Sequence, residues 1–257
     1  MQFAAPAEHY DRFMGRYLPT LAVALADAAE VTPGLRVLDV GCGPGGLTGE
    51  LRARVGAVNV AAIDPAAQFV TACRERNPGA DVREGTAEQL PWADGEFDVT
   101  LASLVIGFMS DPDQGVREMA RVTRPGGTVA ACMWDVATGG MTMLRTFWTA
   151  VRRLDPEVSG ERRMAGTAED DIAQRFERAG LRGVVGSALT ARADYADFDD
   201  FWEPFTFAVG PAGQYLQTLP EQSRVSVREA CREALPDGSF SLDARAWCAR
   251  GTVPAAD

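Results

Sequence analysis

Val37-Leu38-Asp39-Val40-Gly41-Cys42-Gly43-Pro44-Gly45 is the stretch on which the reading of this chain turns. Arg36 to Val40 has the character of a buried strand, and it runs into three glycines at alternate positions. A helical pattern, Leu47 to Arg54, follows at once. Glycines there let the backbone adopt conformations closed to other residues and let a ligand approach at the carboxyl edge of a sheet. The same spacing also suits a plain tight strand-to-helix turn.

Working outward, short apolar runs alternate with helical ones. Asn59 to Asp64 predicts a strand, and Ala66 to Arg76 a helix closed by Asn77-Pro78-Gly79. Asp81 to Glu84 predicts a short strand, and Phe97 to Val105 another, almost continuously apolar and so buried on both faces. Asp111 to Arg124 opens as a capping residue before a proline and ends at Pro125-Gly126-Gly127. Thr128 to Trp134 predicts a fifth strand. Strict alternation of this kind means an α/β fold, a doubly wound, mostly parallel sheet with helices on both faces.

After Asp135 the pattern changes. Met141 to Leu154 and Thr167 to Ala179 read as helices, with Thr167 as the N-cap of the second, and Val184 to Ala193 as a strand. Ala196 to Leu235 is helical or irregular and rich in aromatics. Ser239 to Arg250 alternates as a half-buried strand, which would close the sheet with an antiparallel edge after a helical, aromatic-rich insertion.

Composition narrows the chemistry. The chain of 257 residues carries 25 basic against 36 acidic residues, a net charge of −11 at pH 7. All the basic residues are arginine, and His9 is the sole histidine. A lysine Schiff base and a Walker-type phosphate loop are therefore excluded, as is a zinc site built on paired histidines. The acidic balance disfavours nucleic acid and anionic membranes as partners. Cys42, Cys73, Cys132, Cys231 and Cys248 are odd in number and form no C-x-x-C pair, which suits reduced thiols and a cytoplasmic protein, with no metal site. Arg12 and Arg16 ahead of Leu18 to Ala26 imitate a secretory leader, but Glu8, Asp11, Pro19 and Asp27 make an amphipathic helix the better reading. No run approaches the ~20 apolar residues of a membrane span.

Two carboxylates refine the glycine turn. The spacing is G-x-G-x-G, whereas dinucleotide sites favour G-x-G-x-x-G. Asp39, two residues before the first glycine, would repel a pyrophosphate but suits a ligand cationic at its amino acid end. Asp64 ends the second strand, where an acid can accept from both hydroxyls of a ribose. It could equally cap the helix that follows, and the two roles are compatible.

These residues resemble the class I S-adenosylmethionine (SAM)-dependent methyltransferases of the small-molecule and quinone-biosynthesis type, over about Tyr10 to Trp134. Leu38 to Gly45, Ala62-Ile63-Asp64-Pro65, Glu84-Gly85-Thr86-Ala87-Glu88-Gln89-Leu90-Pro91, Phe97-Asp98-Val99 and Arg121 to Gly127 resemble the family's motifs in their order. The resemblance implies a Rossmann-like fold binding SAM and yielding S-adenosylhomocysteine (SAH). Gly41, Cys42 and Gly43 would line the methionine end with Asp39 near its ammonium. Asp64 would bind the ribose, with Pro65 beside the adenine; Thr86 and Ala87 would meet the adenine edge, and Ser103 would contact the methionine part. Many relatives have aspartate where Thr86 stands. Tyr10 to Arg16 is similar to the family's helix over the cofactor, with Arg16 as partner for the cofactor carboxylate or, alternatively, a surface arginine. The implied organisation is one domain overall: an N-terminal cap (1–30), a SAM-binding core (31–138), core helices and strand with a lid insertion (139–238), and a final strand and tail (239–257).

Few bases are on offer. His9 and Asp135 are the candidates, neither with a motif around it, and His9 beside a helix start reads more naturally as structural. The Asn/Asp-Pro-Pro-Tyr/Phe signature of planar-nitrogen methylation is missing, with Ser103-Leu104-Val105-Ile106 in its place. Phe108, Phe147, Trp148, Phe201, Trp202 and Phe205 are expected to wall an apolar or aromatic acceptor; packing between lid and core, or a dimer interface, explains the same residues. The expected function is methyl transfer from SAM to a small, apolar or aromatic metabolite by positioning and desolvation, in a monomer or homodimer. The alternative is a catalytically silent SAM-binding sensor or partner subunit.

Overall fold

The computed structural model describes residues 6–255. The first five residues of the expected cap and the last two of the expected tail lie outside the described residues. Seven strands form one sheet in the order β3-β2-β1-β4-β5-β7-β6: β1 (Val37–Val40), β2 (Val60–Asp64), β3 (Asp81–Glu84), β4 (Phe97–Ser103), β5 (Thr123–Trp134), β6 (Arg182–Tyr195) and β7 (Phe240–Thr252). The first five run parallel, and β7 lies antiparallel between β5 and β6. The expected Rossmann-like, mostly parallel sheet with an antiparallel final strand is the one observed, but that strand is not the expected edge: β7 pairs on both sides and β6 forms the edge.

Position in the sheet follows from apolar content. β1 and β2 are buried along their whole length, and Val37 pairs with Val60 on one side and Val99 on the other. Chain order reverses direction across the sheet between β1 and β4, so a crevice opens at their carboxyl ends. The glycine turn leaves β1 at that point.

Helices cover both faces: α1 (Ala7–Phe13), α2 (Leu18–Ala28), α3 (Gly46–Val55), α4 (Ala67–Arg76), α5 (Pro112–Val122), α6 (Thr142–Arg152) and α7 (Asp171–Arg178). Between β6 and β7 the aromatic-rich stretch resolves into α8 (Phe198–Trp202), a 3-10 segment (Glu203–Phe207), α9 (Gly210–Thr218) and α10 (Glu221–Glu233). α5 begins as its sequence predicts, with the Asp111 carboxylate accepting from the Gln114 amide at 2.9 Å.

Two boundaries differ from expectation by more than two residues. α7 starts four residues after Thr167, whose hydroxyl instead donates to the carbonyls of Arg162 and Met164 at 3.1 and 2.8 Å, holding the preceding turn. β5 starts at Thr123 because Thr123 already pairs with Phe97; a register shift then absorbs Pro125-Gly126-Gly127 before Thr128 meets Val99.

Candidate functional site

The carboxyl ends of β1 to β5 open onto one cavity of about 770 Å³. Over β1 to β3 its wall is polar: Gly41, Gly43, Asp64, Glu84 and Thr86, with Pro65 and Ala87 beside them. Past Ser103, beyond β4 and β5, it turns apolar, with Leu104, Phe108, Met133 and Trp134. Tyr10, Phe13 and Met14 enter from α1 and its end, Val209 to Pro211 from the start of α9, and Glu161 and Met164 from the α6–α7 connection.

The glycine turn is built by close approach. Gly41 has φ +72°, and a Cβ there would lie 2.3 Å from Val105 Cγ2. Gly43 has φ +52°, and a Cβ there would meet nothing within 4 Å, so its backbone faces open space. The amides of Gly41 and Cys42 donate to the Ile63 carbonyl at 2.8 and 3.0 Å, and the Gly43 amide donates to Asp64 Oδ2 at 2.9 Å. β1 and β2 thereby hold the turn between them. At the end of β4, Leu104 sits at φ +60° on the cavity wall, a left-handed conformation that disfavours a leucine.

Asp64 is 7% exposed, and its Oδ1 accepts from the Ala66 amide at 2.8 Å. Ala66, not Asp64, is the N-cap residue of α4. Burial raises the Asp64 carboxyl above its ordinary range, opposed by the amides of Ala66 and Gly43. Each oxygen accepts one backbone bond, which leaves lone pairs on both for ligand hydroxyls.

Asp39 does not line the cavity but sits fully buried behind the turn. Its Oδ2 accepts from Thr48 Oγ1 at 2.6 Å, and Oδ1 is buried without a hydrogen-bond partner. Burial pushes the carboxyl up to about 7, with Thr48 opposing. A buried carboxylate oxygen left unpartnered is costly, and a nearby cation relieves it. The donor set thus fits a ligand that carries hydroxyls and positive charge together. Among the described residues no group of three or more His, Cys, Asp or Glu side chains could hold a metal ion.

Residues 38–131 match the family described as a methyltransferase domain. A malonyl-[acyl-carrier protein] O-methyltransferase of Pectobacterium atrosepticum is 33% identical over 153 residues, 60% of this chain and 57% of that protein. A demethylmenaquinone methyltransferase of Renibacterium salmoninarum is 34% identical over 125 residues, 49% of this chain and 51% of that protein. The YcgJ protein of Bacillus subtilis matches 91% of this chain and 98% of its own with a TM-score of 0.60 at 17% identity, a likeness of fold. Over residues 38–131 the chain is similar to the methyltransferase domain. It spans little more than half the length of these two sequence relatives.

Of the residues singled out in the sequence, Tyr10, Gly41, Gly43, Asp64, Pro65, Thr86, Ala87, Ser103 and Phe108 line this cleft. Several expected residues lie elsewhere. The Cys42 side chain turns away into a small cluster with Ala62, Val70, Cys73 and Val82. Arg16 is bound to Asp200 at 3.0 Å and to the Asp194 carbonyl at 3.0 Å, with its guanidinium 4.3 Å from the Tyr195 ring centre. The reason is local: α1 ends at Phe13, and the 3-10 turn Gly15–Tyr17 carries Arg16 away from the cleft.

Neither expected base lies on the cleft wall. His9 stacks on Phe207 with ring centres 4.3 Å apart. Asp135 is buried and saturated, accepting from the Thr138 amide at 2.9 Å, its hydroxyl at 2.6 Å, the Gly140 amide at 3.1 Å and Arg245 at 2.6 Å. The expected aromatic wall is mostly core. Phe205 is fully buried, stacked on Phe147 at 4.6 Å and edge-on to Phe13 at 5.2 Å, with Phe201 and Trp202 against it. Phe147, Trp148, Phe201, Trp202 and Phe205 stay off the cleft wall, and Phe108 alone of the six reaches it.

Sequence reasoning missed Phe13, Met14, Glu161, Met164 and Val209. Phe13 and Met14 fall inside the segment read as a cap, so their position was available. Glu161 was not, because Ser159-Gly160-Glu161-Arg162-Arg163 reads as a solvated charged turn. In the fold Glu161 is 5% exposed, and Trp148 Nε1 donates to its Oε2 at 3.3 Å.

Proposed function

We propose that this chain transfers a methyl group from SAM to a small, predominantly apolar acceptor, releasing SAH. The observation that carries the reading is a single cleft whose polar half holds Asp64 and the glycine turn, backed by the unpartnered Asp39, and whose other half is apolar. Asp64 would accept from the ribose hydroxyls, and Asp39 would complement the positive amino acid end across the Gly41–Gly43 turn. Thr86 and Ala87 would border the adenine, Ser103 the methionine part, and Tyr10 would close over the cofactor from α1. When bound, SAM supplies an electrophilic methyl group on a sulfonium.

The chain's own part is placement and exclusion of water. Met133, Trp134, Leu144 and Met164 give the acceptor half an apolar surface that excludes competing water. Holding two reactants at near-attack distance supplies up to roughly 7–11 kcal/mol of the barrier. The two relatives are named for methylation of a malonyl group on a carrier protein and of demethylmenaquinone, and the apolar half here favours an acceptor of the second kind in polarity. The net charge of −11 disfavours nucleic acid as that acceptor. No helix among the described residues is long and apolar enough to cross a membrane.

Calorimetry with SAM and SAH tests the cofactor reading. Both bind, and Asp64→Ala weakens both by about tenfold or more, the loss expected for hydrogen bonds to a charged group. Binding of NADH with no signal for SAM overturns it. Labelled SAM incubated with a metabolite extract, followed by mass spectrometry, identifies the acceptor.

A further inference from the structure

We propose, resting on the methyl-transfer reading above, that Glu161 takes the proton of a hydroxyl on an apolar acceptor held at the β4–β5 end of the cleft. The α6–α7 connection carries Glu161 on the cavity wall, three residues before the part of it that reaches β4 and β5. A Cβ on Gly107, just beyond β4, would lie 2.8 Å from Met133 Cε, 3.0 Å from the Ala165 carbonyl and 3.1 Å from Met164 Cε. One on Gly166 would lie 3.0 Å from Met133 Cβ. The segment therefore presses on the ends of β4 and β5, where the wall is apolar.

Other ionisable groups on that wall are poorly suited to the task. Asp64 is held by two backbone amides on the cofactor side. Glu88 accepts from the amides of Ser110 and Asp111 at 2.7 and 3.2 Å. Glu84 ends β3 beside Asp64. Burial raises the Tyr10 hydroxyl far above neutrality, so it does not ionise there. Lysine is absent from the chain, and the sole histidine stacks on Phe207 away from the wall.

Glu161 is fixed for the role. Gly160 adopts φ +57°, and a Cβ on it would strike the Trp148 indole at 2.7 Å. The indole lies under the turn and gives its N–H to Glu161. From α9 the backbone of Ala212 also faces the carboxylate. Among the described residues no cation lies within ion-pair distance; the neighbouring Arg162 and Arg163 are exposed. Burial raises the carboxyl to about 7, opposed by the Trp148 and Ala212 donors, so it exchanges a proton near neutral pH.

In the step itself an acceptor oxygen lone pair forms the O–CH3 bond. The S–CH3 bond of the sulfonium donor breaks with its electrons left on sulfur, and the hydroxyl proton passes to Glu161. An amine acceptor needs no such base, so a hydroxyl is the class that a buried carboxylate serves.

The test uses a panel of apolar phenols, from alkylphenols to naphthols, with their methyl ethers and the amines of the same skeletons. Calorimetry against SAH-loaded protein should show the phenols binding and the ethers at least about tenfold weaker, as expected when a buried acceptor loses its donor. Label from SAM should enter the phenols, and Glu161→Gln should cut transfer about 100-fold or more while SAM affinity and melting temperature hold. In kcat/KM against pH, wild type should lose activity below about pH 7, and Glu161→Gln should lose that limb. Trp148→Phe removes the N–H donor and keeps a ring, so the limb should move to higher pH; it serves as the second variant where Glu161→Gln does not fold. Full transfer by Glu161→Gln, amines preferred to phenols, or no phenol bound by protein that binds SAM each overturns the assignment. Failure to bind SAM overturns the underlying reading instead.

Discussion

Thr48 Oγ1 donates to Asp39 Oδ2 across 2.6 Å, while Asp39 Oδ1 is buried with no partner. The charges that face this carboxyl are acidic: Asp64 raises it further, and Cys42 and Tyr10 lie within its field. Its folded value of about 7 exceeds the ~3.9 of an unfolded aspartate, so the folded chain holds a proton that the unfolded chain releases. Stability without ligand should therefore decline as pH rises from about 4 to about 7, then level off. A cation placed against Asp39 favours the charged form, so SAM binding at about pH 6 should release close to one proton, and at about pH 8 almost none. Calorimetry in buffers of different ionisation enthalpy reads this directly. Asp39→Asn should abolish the release, make the stability slope shallower, with Glu161 keeping its share, and weaken SAM about tenfold or more. Proton release that is the same in Asp39→Asn as in wild type sinks the idea.

The stretch from Val37 to Trp134 was legible because buried parallel strands are continuous apolar runs, each closed by turn residues. The cofactor residues sit at fixed offsets from those strand ends, so Asp64 and Thr86 come with the strands. The place of Arg16 stayed open in the sequence because its partner Asp200 lies 184 positions away, and only the folded chain brings the two together. An aromatic stripe at helical spacing looks the same in a core as in a pocket, which is why Phe201 and Phe205 were ambiguous. Glu161 gave no periodic signal at all; its burial depends on Trp148 and α9.

Arg16→Ala separates the lid from the cofactor. The substitution removes two hydrogen bonds to the Asp200 carboxylate and a cation over the Tyr195 ring. Unfolding free energy should fall by about 1–2 kcal/mol, as for a partly exposed charged pair with an aromatic neighbour. SAM affinity should stay within about threefold of wild type, because Arg16 is off the cleft wall. A loss of tenfold or more in calorimetry would return Arg16 to the cofactor carboxylate.

Asp135 acts on the acid side of the stability curve. Burial alone would raise its carboxyl, but the Thr138 and Arg245 donors outweigh it and hold it below the usual range. With the folded value below the unfolded ~3.9, its contribution is fully present above about pH 4 and lost as pH falls through the folded value. Asp135→Asn should lower the melting temperature at pH 7 and narrow the gap to wild type toward pH 3. A gap that widens with acid would contradict the assignment.

Phe205 and Phe108 should divide stability from substrate binding. Phe205 is fully buried against Phe147, Phe13, Phe201 and Trp202, so Phe205→Ala leaves a cavity between α1, α6 and α8 and should cost about 3–5 kcal/mol. Phe108 is only partly buried and faces the cleft, so Phe108→Ala should cost about 1 kcal/mol or less in stability. Its effect belongs in the acceptor KM, raised severalfold with SAM affinity unchanged, since an apolar wall contributes binding in proportion to the area it covers. Denaturant unfolding and steady-state kinetics on the two variants give four numbers. Should Phe205→Leu, which nearly fills the space, raise the acceptor KM as much as Phe108→Ala, the Phe205 cluster would have to be read as pocket wall after all.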